Sequence, residues 1–408
     1  MTNPGPVRRV LQVHTRYRQA GGEDEVVAAE KRLLEEAGLS VAQVLFDNPP
    51  PGGSRFSPAP LSQGTAAVWS RRAARRVRDA IEANRPQIVH VHNTFLAASP
   101  SVYWAAASCG VPAVQTLHNY RLICPAATVY RDGRQCTDCL GRAIPWPAIA
   151  HACYRGSRPQ SAVVAATLAV HRARGTYSRK IGAYLALTNF QRELLVRGGL
   201  PADRIEVLPN FLEPDPGMAS GSREGLLFVG RLSNEKGVTT LLGAAALAPG
   251  LVRVAGQGPL SSRVQAAAES RDVEALGQLE RNAVFHELRR AVAMVLPSVC
   301  LEGLPISLLE AFATGTPVIA SRIGSLAELI DDGVTGLLAE PGDARDLADR
   351  LRWAVDHPHE MREMGSRARM KYETTYRGPA HLAALLDTYG RLTAAAAPGR
   401  IPSAPPCA

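Results

Sequence analysis

Two glutamates, Glu302 and Glu310, bracket the stretch LEGLPISLLE, with a Gly-Leu-Pro turn after the first and an apolar run that carries the second. The proline predicts a helix start, because its missing N–H is no loss in a first turn. On this reading Pro305 is the first helical residue, and the amides of Leu304, Ile306 and Ser307 are left unpaired, an arrangement that binds phosphate. Glu302 precedes the turn and is no phosphate ligand, since two anions repel; a carboxylate there suits sugar hydroxyls. Glu310 lies roughly 7–8 Å further along the axis at ~1.5 Å per residue, a distance that suits a ribose on the same phosphates. A buried helix with a capping carboxylate would use the same residues.

A second stretch, FVGRLSNEKG, places Gly230, Arg231 and Lys236 at a strand-to-helix turn. Arginine forks onto phosphate oxygens and lysine supplies a point charge. Two fixed cations can neutralise a departing diphosphate much as a metal would. No Asp-x-Asp pair occurs in the chain to clamp a divalent ion. No metal or other cofactor is therefore expected for the chemistry.

Such residues need a scaffold, and the chain alternates short β-branched runs with amphipathic stretches, as a parallel α/β sheet does. Strands are predicted at 9–14, 41–46, 87–92, 113–117, 184–188 and 205–208, with helices at 23–37, 65–84, 101–109, 161–178 and 190–198. A second rhythm has strands at 226–229, 251–255, 293–297, 317–320 and 336–339. Its helices fall at 237–248, 305–314, 325–331 and 344–355. The division expected is a first Rossmann-like domain over 1–212 with a cysteine-rich insertion at 119–156, then a linker at 213–224. A second domain follows over 225–378, then a helix at 379–394 returning to the first domain. The tail, 395–408, and the Pro/Gly/Ser-rich segment 48–60 read as lacking regular structure. In doubly wound sheets ligands sit at the carboxyl ends of strands, so the cleft between the domains is the expected site.

Taken together, these stretches resemble retaining glycosyltransferases of the GT-B fold, family 4 (the glycosyl transferases group 1). The resemblance rests on Gly230-Arg231, Glu235-Lys236-Gly237, VAGQGPL at 254–260, Pro297-Ser298, the Glu302/Glu310 pair, GTPVIAS at 315–321 and DDGVTGLLAEPGD at 331–343. It is strong over about 225–355 and looser over 7–210. There, Gly21-Gly22 in RQAGGEDE resembles the family's glycine loop, and His118 in VQTLHNYR resembles its strand-end histidine facing the sugar. His92 ends a neighbouring strand, and His90 reads as structural.

The resemblance implies transfer of a hexose from a nucleotide-diphosphate donor, UDP-linked ahead of GDP-linked, with retention at the anomeric carbon. His118, Arg231, Lys236 and Glu302 would serve the reaction. Gly21, Gly22, Gly230, Ile306, Ser307 and Glu310 would hold the donor. The chain departs from the pattern at Pro305, where many members have a glycine whose amide reaches the phosphate. The acceptor is open: a glycan, a lipid-linked glycan or a small metabolite. Rival readings are a sugar phosphorylase and a non-catalytic nucleotide-sugar-binding relative.

Cys124, Cys136, Cys139 and Cys153 lie in the insertion. Cys-x2-Cys with two outlying cysteines suits a structural four-thiolate zinc site, or four separate reduced thiols. The formal net charge of +9 across 408 residues favours anionic partners. Nucleic acid is not expected, because aromatics are 5% and no finger or RNA-binding motif appears. The arginine-rich run Arg71, Arg72, Arg75, Arg76 and Arg78 reads either as a solvated face or as a contact with anionic lipid. No visible leader and no apolar run of ~20 residues point to a cytoplasmic protein, at most peripheral to a membrane.

Overall fold

The apolar runs form two six-stranded parallel sheets. The structure, a computed structural model, describes residues 6–16, 21–48, 59–218 and 221–396. The tail, most of the 48–60 segment, and Arg18 to Ala20 of the glycine-loop stretch lie outside the described residues.

In chain order the first half contributes β1 (Arg9–Arg16), β2 (Ser40–Asp47), β3 (Ile88–Asn93), β4 (Ala113–Leu117), an antiparallel pair β5 (Tyr130–Arg131) and β6 (Arg134–Gln135), then β7 (Ala183–Ala186) and β8 (Ile205–Val207). The second half contributes β9 (Leu226–Val229), β10 (Val252–Ala255), β11 (Val273–Gly277), β12 (Ala293–Leu296), β13 (Val318–Ser321) and β14 (Gly336–Ala339). The sheet orders are β2-β1-β3-β4-β7-β8 and β11-β10-β9-β12-β13-β14. Chain direction away from the starting strand reverses between β1 and β3 in the first sheet and between β9 and β12 in the second. Those switch points open a crevice at the carboxyl ends of the strands, where a ligand can sit.

Helices cover both faces, so the central strands are buried throughout: every residue of β3, β4, β12 and β13 is buried. That explains why they read as continuous apolar runs rather than alternating ones. The helix Gly378–Ala396 packs its Leu385 and Tyr389 against Val10, Leu34 and Ile88 of the first domain. The chain therefore crosses between domains twice, and the crossings touch. Leu212 N–H donates to the Tyr376 carbonyl at 3.0 Å, the Tyr372 hydroxyl to the Leu212 carbonyl at 3.1 Å, and Arg377 Nε to Glu213 at 2.9 Å.

Several elements differ from expectation. The helix predicted over 65–84 is two helices, Ala59–Val68 and Arg71–Asn84. The break comes at Trp69, whose ring stacks on His171 at 5.6 Å, and at Ser70, whose hydroxyl accepts from the Ala73 amide as an N-cap. The helix predicted over 161–178 runs from Arg158 to Ala173 and gives way to a separate turn, Thr176–Arg179, at Gly175, which adopts φ +65°. Strand β11 and the helices Ser261–Glu269 and Arg281–Arg290 were not predicted. Strand β11 is an edge strand and Val264 is the one buried residue of the first helix, so both carry little apolar signal; the second helix buries Val284 and Leu288 four residues apart, a signal that was there to be read.

Candidate active site

The turn after β9 builds one wall of the crevice. Gly237 has φ +71°, and a Cβ there would fall 1.7 Å from the Pro297 carbonyl, so only glycine lets the two loops meet backbone to backbone. The Val299 amide donates to the Glu235 carbonyl at 3.0 Å, which ties that turn to the loop after β12. This contact brings Lys236 to Glu302: Nζ and Oε1 are 2.6 Å apart. The Ser298 hydroxyl donates to the same oxygen at 2.7 Å. Glu302 Oε1 is thus saturated, while Oε2 has no hydrogen bond among the described residues. Burial works against the Lys236 ammonium, but the charge and hydrogen bond of Glu302 outweigh it and hold its pKa above the ordinary lysine value.

The helix Ile306–Ala313 starts one residue later than expected. Pro305 is extended, with φ −63° and ψ 130°, and is the residue before the helix rather than its first member. The Leu308 amide closes on the Pro305 carbonyl at 3.1 Å. The amides of Ile306 and Ser307 have no partner among the described residues, and both residues line the crevice with Lys236. One turn further, Glu310 is buried and faces Arg281, whose Nε is 3.5 Å from Oε1. Burial raises the Glu310 pKa to about 7; Arg281 opposes the shift and Glu25 adds to it. Arg281 also reaches across the crevice to Glu25 at 3.4 Å.

The opposite wall is the first domain. Gly21 caps the helix Gly22–Glu36, and the Gly22 Cα lies against the second domain: an added Cβ would come 2.9 Å from Ile306 Cγ1. His118, just past β4, completes this wall. Its Nε2 is 3.1 Å from His92 Nδ1, and the rings stack at 5.4 Å. Behind them sits Glu30, wholly buried, with Oε1 at 3.3 Å from His92 Nε2 and 2.9 Å from His90 Nδ1. Burial alone would raise Glu30, but the two histidines hold it well below the usual carboxylate range. Burial lowers His92 to about 4 and, with His92 and His14 nearby, drives His118 well below the ordinary histidine value. His118 is therefore a neutral imidazole near pH 7, able to hydrogen-bond but not to carry charge.

Among the described residues, Glu30, His90 and His92 also form the one group of three whose ligand-type atoms lie within 4.8 Å of one another. Two of those atoms are engaged, His90 Nδ1 with the Tyr389 hydroxyl at 2.7 Å and Glu30 Oε1 with Gln12 Nε2 at 2.8 Å, while His92 Nε2 has no hydrogen-bond partner among the described residues. Stacked on His92, His118 is positioned by this buried group.

The crevice encloses about 830 Å³ of open space, lined by Gly22, His118, Lys236, Ile306, Ser307 and Glu310 among others. Glu302 joins it through Lys236. Gly230 lies beneath, its carbonyl against Gly256. Arg231 is exposed and forms no ion pair among the described residues, so it is not gathered into the Lys236–Glu302 contact. Sequence reasoning missed four contributors: Asn210, which donates to the Leu304 carbonyl at 3.4 Å; Tyr120, whose hydroxyl donates to the Glu302 carbonyl at 3.0 Å; Ser298 as a partner of Glu302; and Arg281. Ser298 and Tyr120 stood in quoted motifs, Pro297-Ser298 and VQTLHNYR, but neither was given a role there.

The sequence profile described as "Glycosyl transferase 4-like domain" matches residues 5–210, and that described as "Glycosyl transferases group 1" matches 218–371. The D-rhamnosyltransferase WbpZ of Pseudomonas aeruginosa is 34% identical over 155 residues, 37% of this chain and 41% of that one. A D-inositol 3-phosphate glycosyltransferase of Pseudarthrobacter chlorophenolicus is 32% identical over 209 residues, 45% of this chain and 49% of that one. The chain spans less than half the length of these curated relatives. Sucrose-phosphate synthase of Thermosynechococcus elongatus superimposes with a TM-score of 0.70 at 17% identity, over 95% of this chain and 100% of that one. HepE of Anabaena, solved with UDP and glucose, does so with a TM-score of 0.67 at 16% identity, over 94% and 100%. At such identity the two structures speak for the fold alone.

Proposed function

The chain belongs to the glycosyl transferases of group 1 and has their GT-B fold, and from that premise we propose that it transfers a hexose from a nucleotide-diphosphate donor with retention at the anomeric carbon and without a divalent ion. The observation that carries this reading is Lys236 paired with Glu302 beside the open helix start of Ile306 and Ser307. A donor diphosphate would lie on those two amides, and the Lys236 ammonium would share its charge with the phosphate. Arg231, exposed and two residues after β9, would turn onto the same anion. Glu302 Oε2 would accept sugar hydroxyls and Glu310 the ribose hydroxyls. Neutral His118 would hydrogen-bond the sugar from the opposite wall.

In the step itself the bond between the anomeric carbon and the diphosphate oxygen breaks. The acceptor oxygen bonds to the same face of that carbon, and its proton passes to the departing diphosphate. The cation and amides stabilise the charge that develops there, which is where fixed dipoles act most strongly. Glu302, in the loop after β12, and Glu310, on the helix that follows, are held by separate partners, Lys236 and Arg281, and are not set to flank a single bond, so a two-carboxylate hydrolysis is not favoured. A UDP-linked donor is taken ahead of a GDP-linked one by analogy of fold with HepE, which was solved with UDP and glucose.

The acceptor would enter from the first domain, where Arg71, Arg72, Arg75 and Arg76 are exposed on one helix. That face supports contact with an anionic membrane bearing a lipid-linked glycan. Among the described residues no helix is long and apolar enough to cross a membrane.

The test is release of free nucleotide from a panel of nucleotide-sugars by the purified protein, with calorimetric binding alongside. Turnover of one donor supports the reading. Binding without turnover, whatever the acceptor, favours the non-catalytic relative, and sugar phosphate formed only with added phosphate favours a phosphorylase.

A further inference from the structure

Between His118 and Ser157 the chain runs for some forty residues with little regular structure: the β5–β6 pair, two residues a side, and a four-residue helix, Pro147–Ala150. Loops of that length inside a compact domain need something else to hold them. The segment folds back on itself through four short turns, and each carries a cysteine. The Cys124 amide donates to the Tyr120 carbonyl at 2.9 Å, Cys136 to Val129 at 2.9 Å and Cys153 to Ala148 at 3.0 Å, while the Cys139 carbonyl accepts from Arg142 at 3.3 Å.

All four cysteines line one small enclosed cavity, separate from the crevice. All four are free thiols. No histidine or carboxylate lines that cavity; Arg131, its side chain 16% exposed, does. Chain separations of 12, 3 and 14 residues bring these thiols together, and a chance convergence of every cysteine in the segment on one cavity is a poor alternative.

We propose that Cys124, Cys136, Cys139 and Cys153 form a structural tetrathiolate site for zinc. Sulfur-only ligation selects a soft or borderline ion, and four protein ligands leave no open position for catalysis. Binding one Zn²⁺ releases four protons from the thiols and leaves a local charge of −2, toward which Arg131 at the cavity wall, itself paired with Asp138 at 2.9 Å, contributes one positive charge. A zinc tetrahedron with Zn–S of about 2.3 Å separates its sulfurs by about 3.8 Å. The thiols are not yet gathered that closely, since any three of them include a separation of more than 4.8 Å. The ion would therefore draw the turns together. The assignment is independent of the reading of the crevice, but it bears on it. Cys124 is hydrogen-bonded to Tyr120, and Tyr120 holds the Glu302 carbonyl, so the ion would brace the wall from which Glu302 is aimed.

The experiment is elemental analysis of the full chain purified from zinc-supplemented cells, with native thiol titration before and after chelation. Close to one zinc per chain, four thiols shielded until chelator is added, and thiolate-to-cobalt charge-transfer absorption after exchange with Co²⁺ are expected. The Cys136→Ser/Cys139→Ser double variant should lose the metal; the cobalt spectrum of the unaltered chain decides the matter if that variant does not fold. Less than about a tenth of an equivalent of zinc with the four thiols freely reactive, disulfides among them on peptide mapping, or zinc retained by the double variant would each overturn the assignment.

Discussion

Lys236 and Glu302, 2.6 Å apart, are the residues on which the chemistry turns. Lys236→Ala removes the fixed cation and leaves Glu302 with Ser298 as its one donor, so turnover should fall about 100- to 1000-fold, the loss seen when one charge-stabilising donor is deleted from an active site. Steady-state rates with the donor identified by the panel check this; a loss confined to KM would mean that the lysine only binds. Glu310 makes a separate prediction through its pKa of about 7. Because the folded value lies above the unfolded ~4.3, the carboxyl favours the fold while protonated. That contribution is complete below about pH 4 and is lost as pH rises through about 7. Ribose hydroxyls, by contrast, need the ionised form. The donor KM should therefore rise as pH falls from about 8 to 6. In Glu310→Gln both that dependence and the matching trend in melting temperature should flatten; a KM profile identical in the two proteins would remove Glu310 from the donor site.

At the scale of elements, the helix starts at Gly22 and Ile306 face each other across the crevice. Gly22→Val would drive a side chain into Ile306, with a cost of about 1–3 kcal/mol for overpacking. Donor KM should rise roughly tenfold or more while melting temperature hardly moves, because the clash falls between domains and not within either core. The basic helix predicts a salt effect. Each arginine near an anionic surface contributes about 1 kcal/mol and is screened beyond about 10 Å at 0.1 M salt. Sedimentation with anionic vesicles at low salt, lost at high salt and absent with neutral vesicles, is expected. No sedimentation at low salt would leave those arginines a solvated face.

Much of this was legible in the sequence where a local pattern forced the geometry. Gly237 just after Lys236 and the proline before Ile306 announce the two turns because backbone stereochemistry leaves few alternatives. The fully buried runs of β3, β4, β12 and β13 mark themselves as central strands, although the order of the strands in each sheet was not readable from them. What could not be read is what depends on distant contacts. Arg281 meets Glu310 from another helix, Tyr120 reaches Glu302 over 182 residues, and Glu30 lies under two histidines it does not neighbour in the chain. The one-residue error at Pro305 has the same origin, since proline fixes φ but its ψ of 130° is set by the loop packed around it.

For the molecule as a whole, the crevice belongs to neither domain alone: His118 and Gly22 come from one, Lys236, Ile306 and Glu310 from the other. If the walls close on a bound donor, the paired crossings at Leu212–Glu213 and Tyr376–Arg377 are where the backbone would bend. Because the two passes lie side by side, they work as a two-pin hinge, allowing rotation about one axis and resisting twist. A protease nick in the first pass, between 213 and 218, should therefore not release the halves. The last helix, covalently part of the second fragment, stays seated in the core of the first, and the two pieces should elute together from a sizing column until denaturant is added. Fragments that part in native buffer would mean that this helix clasps the first domain too weakly to serve as the second pin.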